Sequence, residues 1–84
     1  MTTTYKLTTR QSNAQVCDTR EFSSVLQALA QYRRAWSFSF YEHAMLVEMD
    51  ASGNGTMLMG FSSNEDGERF VTCDNLAGQC PHGA

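Results

Sequence analysis

The feature that most constrains this chain is an alternation of apolar and polar residues, broken twice by loops that contain Gly and Asn. Residues 42–50 alternate, and Ala51-Ser52-Gly53-Asn54-Gly55 follows. Residues 56–62 alternate again, and Ser63-Asn64-Glu65-Asp66-Gly67 follows. Residues 68–74 make the third run. Period-two runs of this length between turn-forming clusters predict an antiparallel meander.

With each loop joining nearest neighbours, Met49 is expected to face Met57 and Phe61 to face Arg69. One face then carries Met45, Val47, Met49, Met57, Met59, Phe61, Val71 and Cys73, and is the expected core face, because alternate residues share a side. The other carries Ala44, Leu46, Glu48, Asp50, Thr56, Leu58, Gly60, Ser62, Glu68, Phe70, Thr72 and Asp74. Leu46, Gly60 and Phe70 fall in one cross-strand row, with Leu58 diagonal to it, as when an aromatic ring covers bare glycine backbone. A slip of one residue would exchange a strand's two faces, so this reading rests on the register.

At 84 residues and 42 % hydrophobic content the chain can bury one small core and reads as a single domain. No repeat and no low-complexity segment is visible. No apolar run approaches the roughly 20 residues that span a bilayer. The start, Met1-Thr2-Thr3-Thr4-Tyr5-Lys6, lacks the apolar core of a signal peptide. Three cysteines are an odd count and a poor disulfide framework, so reduced thiols and a cytoplasmic location are expected.

Residues 3–11, rich in Thr, read as a first strand. Residues 12–20 are polar and read as a loop. Ser23 is the expected N-cap, with Glu21 near the positive end of the helix dipole. The helix itself is predicted over residues 24–36. Phe22, Val25, Leu26, Leu29, Tyr32 and Trp36 recur at spacings of three and four, while Ala28, Ala30 and Ala35 raise the propensity. Residues 37–41 alternate Ser and Phe and leave two readings open, an early strand start or an extended link packed under the helix. Residues 75–84 hold two Gly and the only Pro and read as an irregular tail. The expected architecture is a two-layer α+β domain ordered β-α-β-β-β, with one helix packed on a four-stranded, mainly antiparallel sheet and an ordered core over residues 4–74.

Sites for chemistry are few. Cys73, Cys80 and His82, with Cys17, resemble metal ligands, but the spacing from Cys73 to Cys80 is wider than the C-x₂₋₄-C pairs that zinc favours. On the expected core face Cys73 acts as a small hydrophobe. His43 and His82 have no nucleophile placed beside them by local sequence, and Gly53-Asn54-Gly55 fits a hairpin turn better than a phosphate cradle. The five methionines fit core filling rather than cofactor contact. The expectation is a chain with no cofactor, no metal and no catalytic residue.

Charge is more informative. In residues 1–41, Lys6, Arg10, Arg20, Arg33 and Arg34 outnumber Asp18 and Glu21. In residues 42–84, Glu42, Glu48, Asp50, Glu65, Asp66, Glu68 and Asp74 face a single cation, Arg69. Carboxylates on a sheet face are common simply for solubility. Here they share a face with Leu46, Leu58 and Phe70, which fits an apolar ridge with an acidic rim, matched to a basic partner surface. Such surfaces commonly bind nucleic-acid phosphates. An alternative reading takes Arg10, Arg20, Arg33 and Arg34 as the working surface of a small nucleic-acid-binding or regulatory module.

The element order, the size, the start Tyr5-Lys6-Leu7 and the ending Asn64-Glu65-Asp66-Gly67-Glu68-Arg69-Phe70-Val71-Thr72-Cys73 resemble small phage-encoded anti-CRISPR proteins that inhibit type I surveillance complexes. The likeness covers residues 4–73, and its most distinctive part is the aromatic-Val-x-Cys ending, here Phe70-Val71-Thr72-Cys73. The chain departs from that group in its acidic second half and its longer tail. The resemblance implies a stoichiometric inhibitor that binds a bacterial CRISPR effector subunit and keeps target DNA out. It carries over no catalytic residue and no particular subunit. Under it, Glu48, Asp50, Glu65, Asp66, Glu68 and Asp74 would stand in for phosphates and Leu46, Leu58 and Phe70 would anchor the contact. Direct DNA binding and a membrane partner are not expected, and a homodimer is left open.

Overall fold

The computed structural model describes residues 3–12, 16–38, 41–64, 66 and 68–73. The elements run β1 (Thr4–Gln11), β2 (Asp18–Phe22), α1 (Val25–Ser37), β3 (Tyr41–Met49), β4 (Gly55–Ser63) and β5 (Arg69–Cys73). They form one antiparallel sheet in the order β2-β1-β3-β4-β5, with the helix packed on it. The α+β class and the meander are as expected; the strand count is five rather than four. The expected tail at 75–84 lies outside the described residues, as do Ser39 and Phe40 of the ambiguous link.

The additional strand is β2, which sequence analysis places partly in a polar loop. An edge strand needs a backbone ladder more than an apolar face, and β2 is exposed at every residue but Phe22. Cross-strand pairs add to the ladder. Lys6 stands opposite Glu21, with Nζ to Oε1 at 3.7 Å. Thr8 and Thr19 are joined hydroxyl to hydroxyl at 3.3 Å.

Both hairpins of the meander close by the same device. Asp50 Oδ1 accepts the N–H groups of Ser52 and Asn54, each at 2.9 Å. Asn64 Oδ1 accepts those of Asp66 at 2.9 Å and Glu68 at 3.0 Å. In each loop the first residue's N–H donates to the carbonyl of the fifth at 3.0 Å. Gly53 has φ of +88°, a left-handed conformation that glycine adopts at no steric cost. Gly67 holds the same place in the second loop's sequence.

The register differs from expectation, and the difference relocates the core. Met49 pairs with Gly55 and Val47 with Met57, while Leu46 pairs with Met59. Leu58 is thus an extra residue, a β-bulge that interrupts the alternation of β4. As a result Ala44 and Leu46 on β3, not Met45, Val47 and Met49, lie under the helix with Met59 and Phe61. Leu46 and Met59 are fully buried, and Leu58 is 4 % exposed. In the last hairpin Phe61 pairs with Val71 rather than Arg69, a two-residue shift that preserves the faces.

The helix begins at Val25, one residue later than expected, with Ser24 rather than Ser23 as the N-cap and no side-chain cap from it. Its buried stripe is Ala28, Leu29, Tyr32 and Ala35. Ala28 and Ala35 therefore let the helix approach the sheet closely, besides favouring helix formation. Leu26 falls off the stripe and is 73 % exposed. The helix lies over β1, β2 and β3. It reaches β4 through Phe61, whose ring meets Tyr32 edge-on at 6.0 Å and Trp36 at 5.3 Å.

Candidate interaction surface

Arg69, at the start of β5, joins the last strand to the helix end. Its guanidinium lies 4.8 Å from the Trp36 ring and 4.5 Å from the Phe61 ring. It donates to the backbone carbonyls of Trp36, Phe38 (2.8 Å) and Tyr41 (3.2 Å). A cation here also complements the negative end of the helix dipole. Burial pushes the Tyr32 pKa above its ordinary value, and the charge of Arg69 offsets part of that rise. Arg69 is thus a clasp and not a counter-charge on an acidic surface. Sequence reasoning counted it only as the lone cation of the second half.

The structure separates the residues expected to share one acidic face. Leu46 and Leu58 are core residues and cannot anchor a partner, because the bulge turns both inward. Glu48 stands opposite Tyr5 and Thr56, on the helix side of the sheet. Asp50 is in the first hairpin loop, with its carboxylate accepting hydrogen bonds within its own turn. Asp66 and Glu68 are exposed in the second loop, at the opposite end of β4. Consecutive hairpins of a meander necessarily alternate ends, which parts Glu48 and Asp50 from Asp66 and Glu68. Glu65 and Asp74 lie outside the described residues.

What does gather is the group around β5. Phe70 is 59 % exposed on the face away from the helix. Val71 is 47 % exposed on the helix side, beyond the strands that the helix covers. Among the described residues β5 has a strand neighbour on one side only. Its other backbone edge, two exposed apolar side chains and the Asp66–Glu68 turn are contiguous. Val71 was assigned to the core by alternation alone. Its position in the last strand of a meander was the signal that it could sit at an edge.

Behind Phe70, a shallow groove of about 90 Å³ is lined by His43, Met57, Gly60, Ser62, Phe70 and Thr72, among others. A Cβ at Gly60 would come 2.7 Å from the Met57 methyl and 3.0 Å from the Ala44 carbonyl oxygen, so the methionine end would have to shift and the strands give slightly. Burial lowers the His43 pKa from its ordinary value, and Arg10, paired with it across the ladder, lowers it further.

The basic half is also dispersed. Arg10 pairs with Glu42 at 3.3 Å, while Arg33 is exposed on the helix. Arg20 and Arg34 line one cavity beside the β1–β2 pair. Cys17 is free and exposed. Cys73 is disulfide-bonded, which corrects the expectation of reduced thiols. An odd cysteine count leaves one residue unpaired; it does not exclude a bridge between the others. A sulfur in a disulfide is no thiolate ligand, and among the described residues no three His, Cys, Asp or Glu side chains group as a metal site. Cys80 and His82 lie outside the described residues. No helix among the described residues is long and apolar enough to cross a membrane. Comparison with known protein families, characterised proteins and solved structures finds no match to this chain.

Proposed function

We propose that this chain is a non-catalytic binding protein that engages one protein partner through β5 and the turn before it. The observation that carries this reading is an edge strand with exposed apolar residues on both faces, Phe70 at 59 % and Val71 at 47 %. Open edges of this kind pair readily with another chain, and soluble proteins ordinarily guard against them. An added strand would gain main-chain hydrogen bonds from the edge and specificity from side chains on either side of it. The acidic turn with Asp66 and Glu68 selects a partner segment bordered by Lys or Arg. The resemblance to inhibitors of type I CRISPR effectors supplies a partner with such a basic surface, on which an acidic protein takes the place of DNA phosphates in the cytoplasm of a bacterial host.

The test is affinity for the subunits of a type I effector, together with DNA binding by the assembled effector. Phe70→Ala is expected to weaken the contact by roughly 2 kcal/mol, as aromatic hot spots do. Asp66→Lys with Glu68→Lys is expected to weaken it further by introducing like charges, with the thermal melt unchanged. Arg33→Glu on the helix is the control and should leave binding intact. Loss of binding in Arg33→Glu alongside full binding in the β5 variants would place the contact elsewhere, and undisturbed DNA binding by the effector would remove the partner.

A further inference from the structure

A cavity of about 240 Å³ opens between the helix and the β1–β2 pair, on the side of the molecule away from β5. Arg20 of β2 and Arg34 of the helix both line it, together with Gln31, Thr9 and Tyr41, and with Asp18 beside Arg20. Buried Leu7 and Ala35 form an apolar floor. Two arginines from different elements therefore line one concavity. Their internal neutralisation is weak. Asp18 meets Arg20 at 3.9 Å, with side chains 75 % and 68 % exposed, a pairing that water largely screens. Among the described residues no carboxylate pairs with Arg34, whose guanidinium stands 5.9 Å from the Phe38 ring.

We infer that this cleft binds a small phosphate-bearing anion. Guanidinium forks match phosphate oxygens with two parallel hydrogen bonds each. Two such forks, with an amide and two hydroxyls nearby, offer more donors than the two oxygens of a carboxylate can use and suit the several oxygens of a phosphate. The volume falls below the roughly 300–1,000 Å³ usual for drug-sized ligands, which limits the occupant to phosphate or a phosphate with a body of about sugar size. A nucleic-acid strand fits less well. Grooves that follow a polyanion are lined with continuous positive charge, whereas here Asp18 lines the cleft beside Arg20.

The experiment is a backbone amide NMR titration of the full chain with sodium phosphate, with ribose 5-phosphate as a sugar monophosphate and with a short single-stranded oligonucleotide, each against sodium chloride of matched ionic strength. Saturable shifts at Thr9, Arg20, Gln31, Arg34 and Tyr41 with phosphate or the monophosphate, absent with chloride, are expected. A preference for the monophosphate would identify a phosphoester ligand, and equal affinity would identify phosphate itself. Arg20→Gln and Arg34→Gln should each weaken binding at least tenfold. Thr9→Val, which leaves charge unchanged, should weaken it less. Phe70→Ala should have no effect, which separates this site from the β5 surface. Shifts that chloride reproduces, saturation by the oligonucleotide alone, or full phosphate binding by folded Arg34→Gln would each overturn the assignment.

Discussion

Replacing Arg69 with methionine removes two kinds of contact at once. The ring contacts with Trp36 and Phe61 are lost, and the carbonyls of Trp36, Phe38 and Tyr41 lose a charged donor. Cation–π pairs contribute about 0.5–2 kcal/mol and hydrogen bonds to charged groups about 1.5–3 kcal/mol. Because Arg69 is only partly buried and water can replace some donors, a destabilisation of about 2–4 kcal/mol in urea unfolding is expected for Arg69→Met. Arg69→Lys should recover only part of it, since an ammonium cannot stack flat between rings while reaching several carbonyls. A loss below about 0.5 kcal/mol, the level of ordinary surface substitutions, would show that the clasp is incidental. Nothing local in the sequence marks this role. Trp36 and Phe61 are 33 and 8 residues away, and only the packed sheet brings them to the same guanidinium.

At the scale of the element, the bulge at Leu58 decides which face of β3 is core. On β3 the helix side carries Ala44, Leu46 and Glu48 and the open side carries Met45, Val47 and Met49. Hydrophobicity alone therefore favours the open side, and the pairing with β4 overrules it. Leu46→Ala is expected to cost about 2–5 kcal/mol, as fully buried truncations do. Met45→Ala, half-buried on the open face, should cost about 1 kcal/mol or less. The reverse order in chemical denaturation would restore the expected register and remove the bulge. The hairpins, by contrast, were legible. Asp50-Ala51-Ser52-Gly53-Asn54 and Asn64-Glu65-Asp66-Gly67-Glu68 each place an Asp or Asn first and Gly fourth, and the side chain of the first residue organises both loops. The helix was legible too, because Val25, Leu29, Tyr32 and Trp36 keep a 3.6-residue period whatever they pack against.

Across the whole molecule, the sheet order puts β3 at the centre and β2 and β5 at the edges. Amide hydrogen exchange should then be slowest at Ala44–Val47 and Met59–Phe61 and fastest, among strand residues, along β2, since local opening costs least where few apolar groups are buried. Protection of β2 equal to that of β3 would contradict this order. Partner binding at β5 would add protection to Phe70–Thr72 without changing β2, which gives the proposed contact a readout of its own. Of the residues expected to meet a partner, Phe70, Asp66 and Glu68 stand together, and the four that do not, Leu46, Leu58, Glu48 and Asp50, were assigned through a register that sequence cannot determine. By itself the sequence determined the helix, two hairpin loops and the α+β class, because each depends on periodicity and turn chemistry within a few neighbouring residues. Only the tertiary structure decided that residues 18–22 form an edge strand, that Arg69 is a clasp and that β3 turns Ala44 and Leu46 inward. Each of these depends on an interaction between segments distant in sequence, and a two-residue period reads the same whichever face the helix covers.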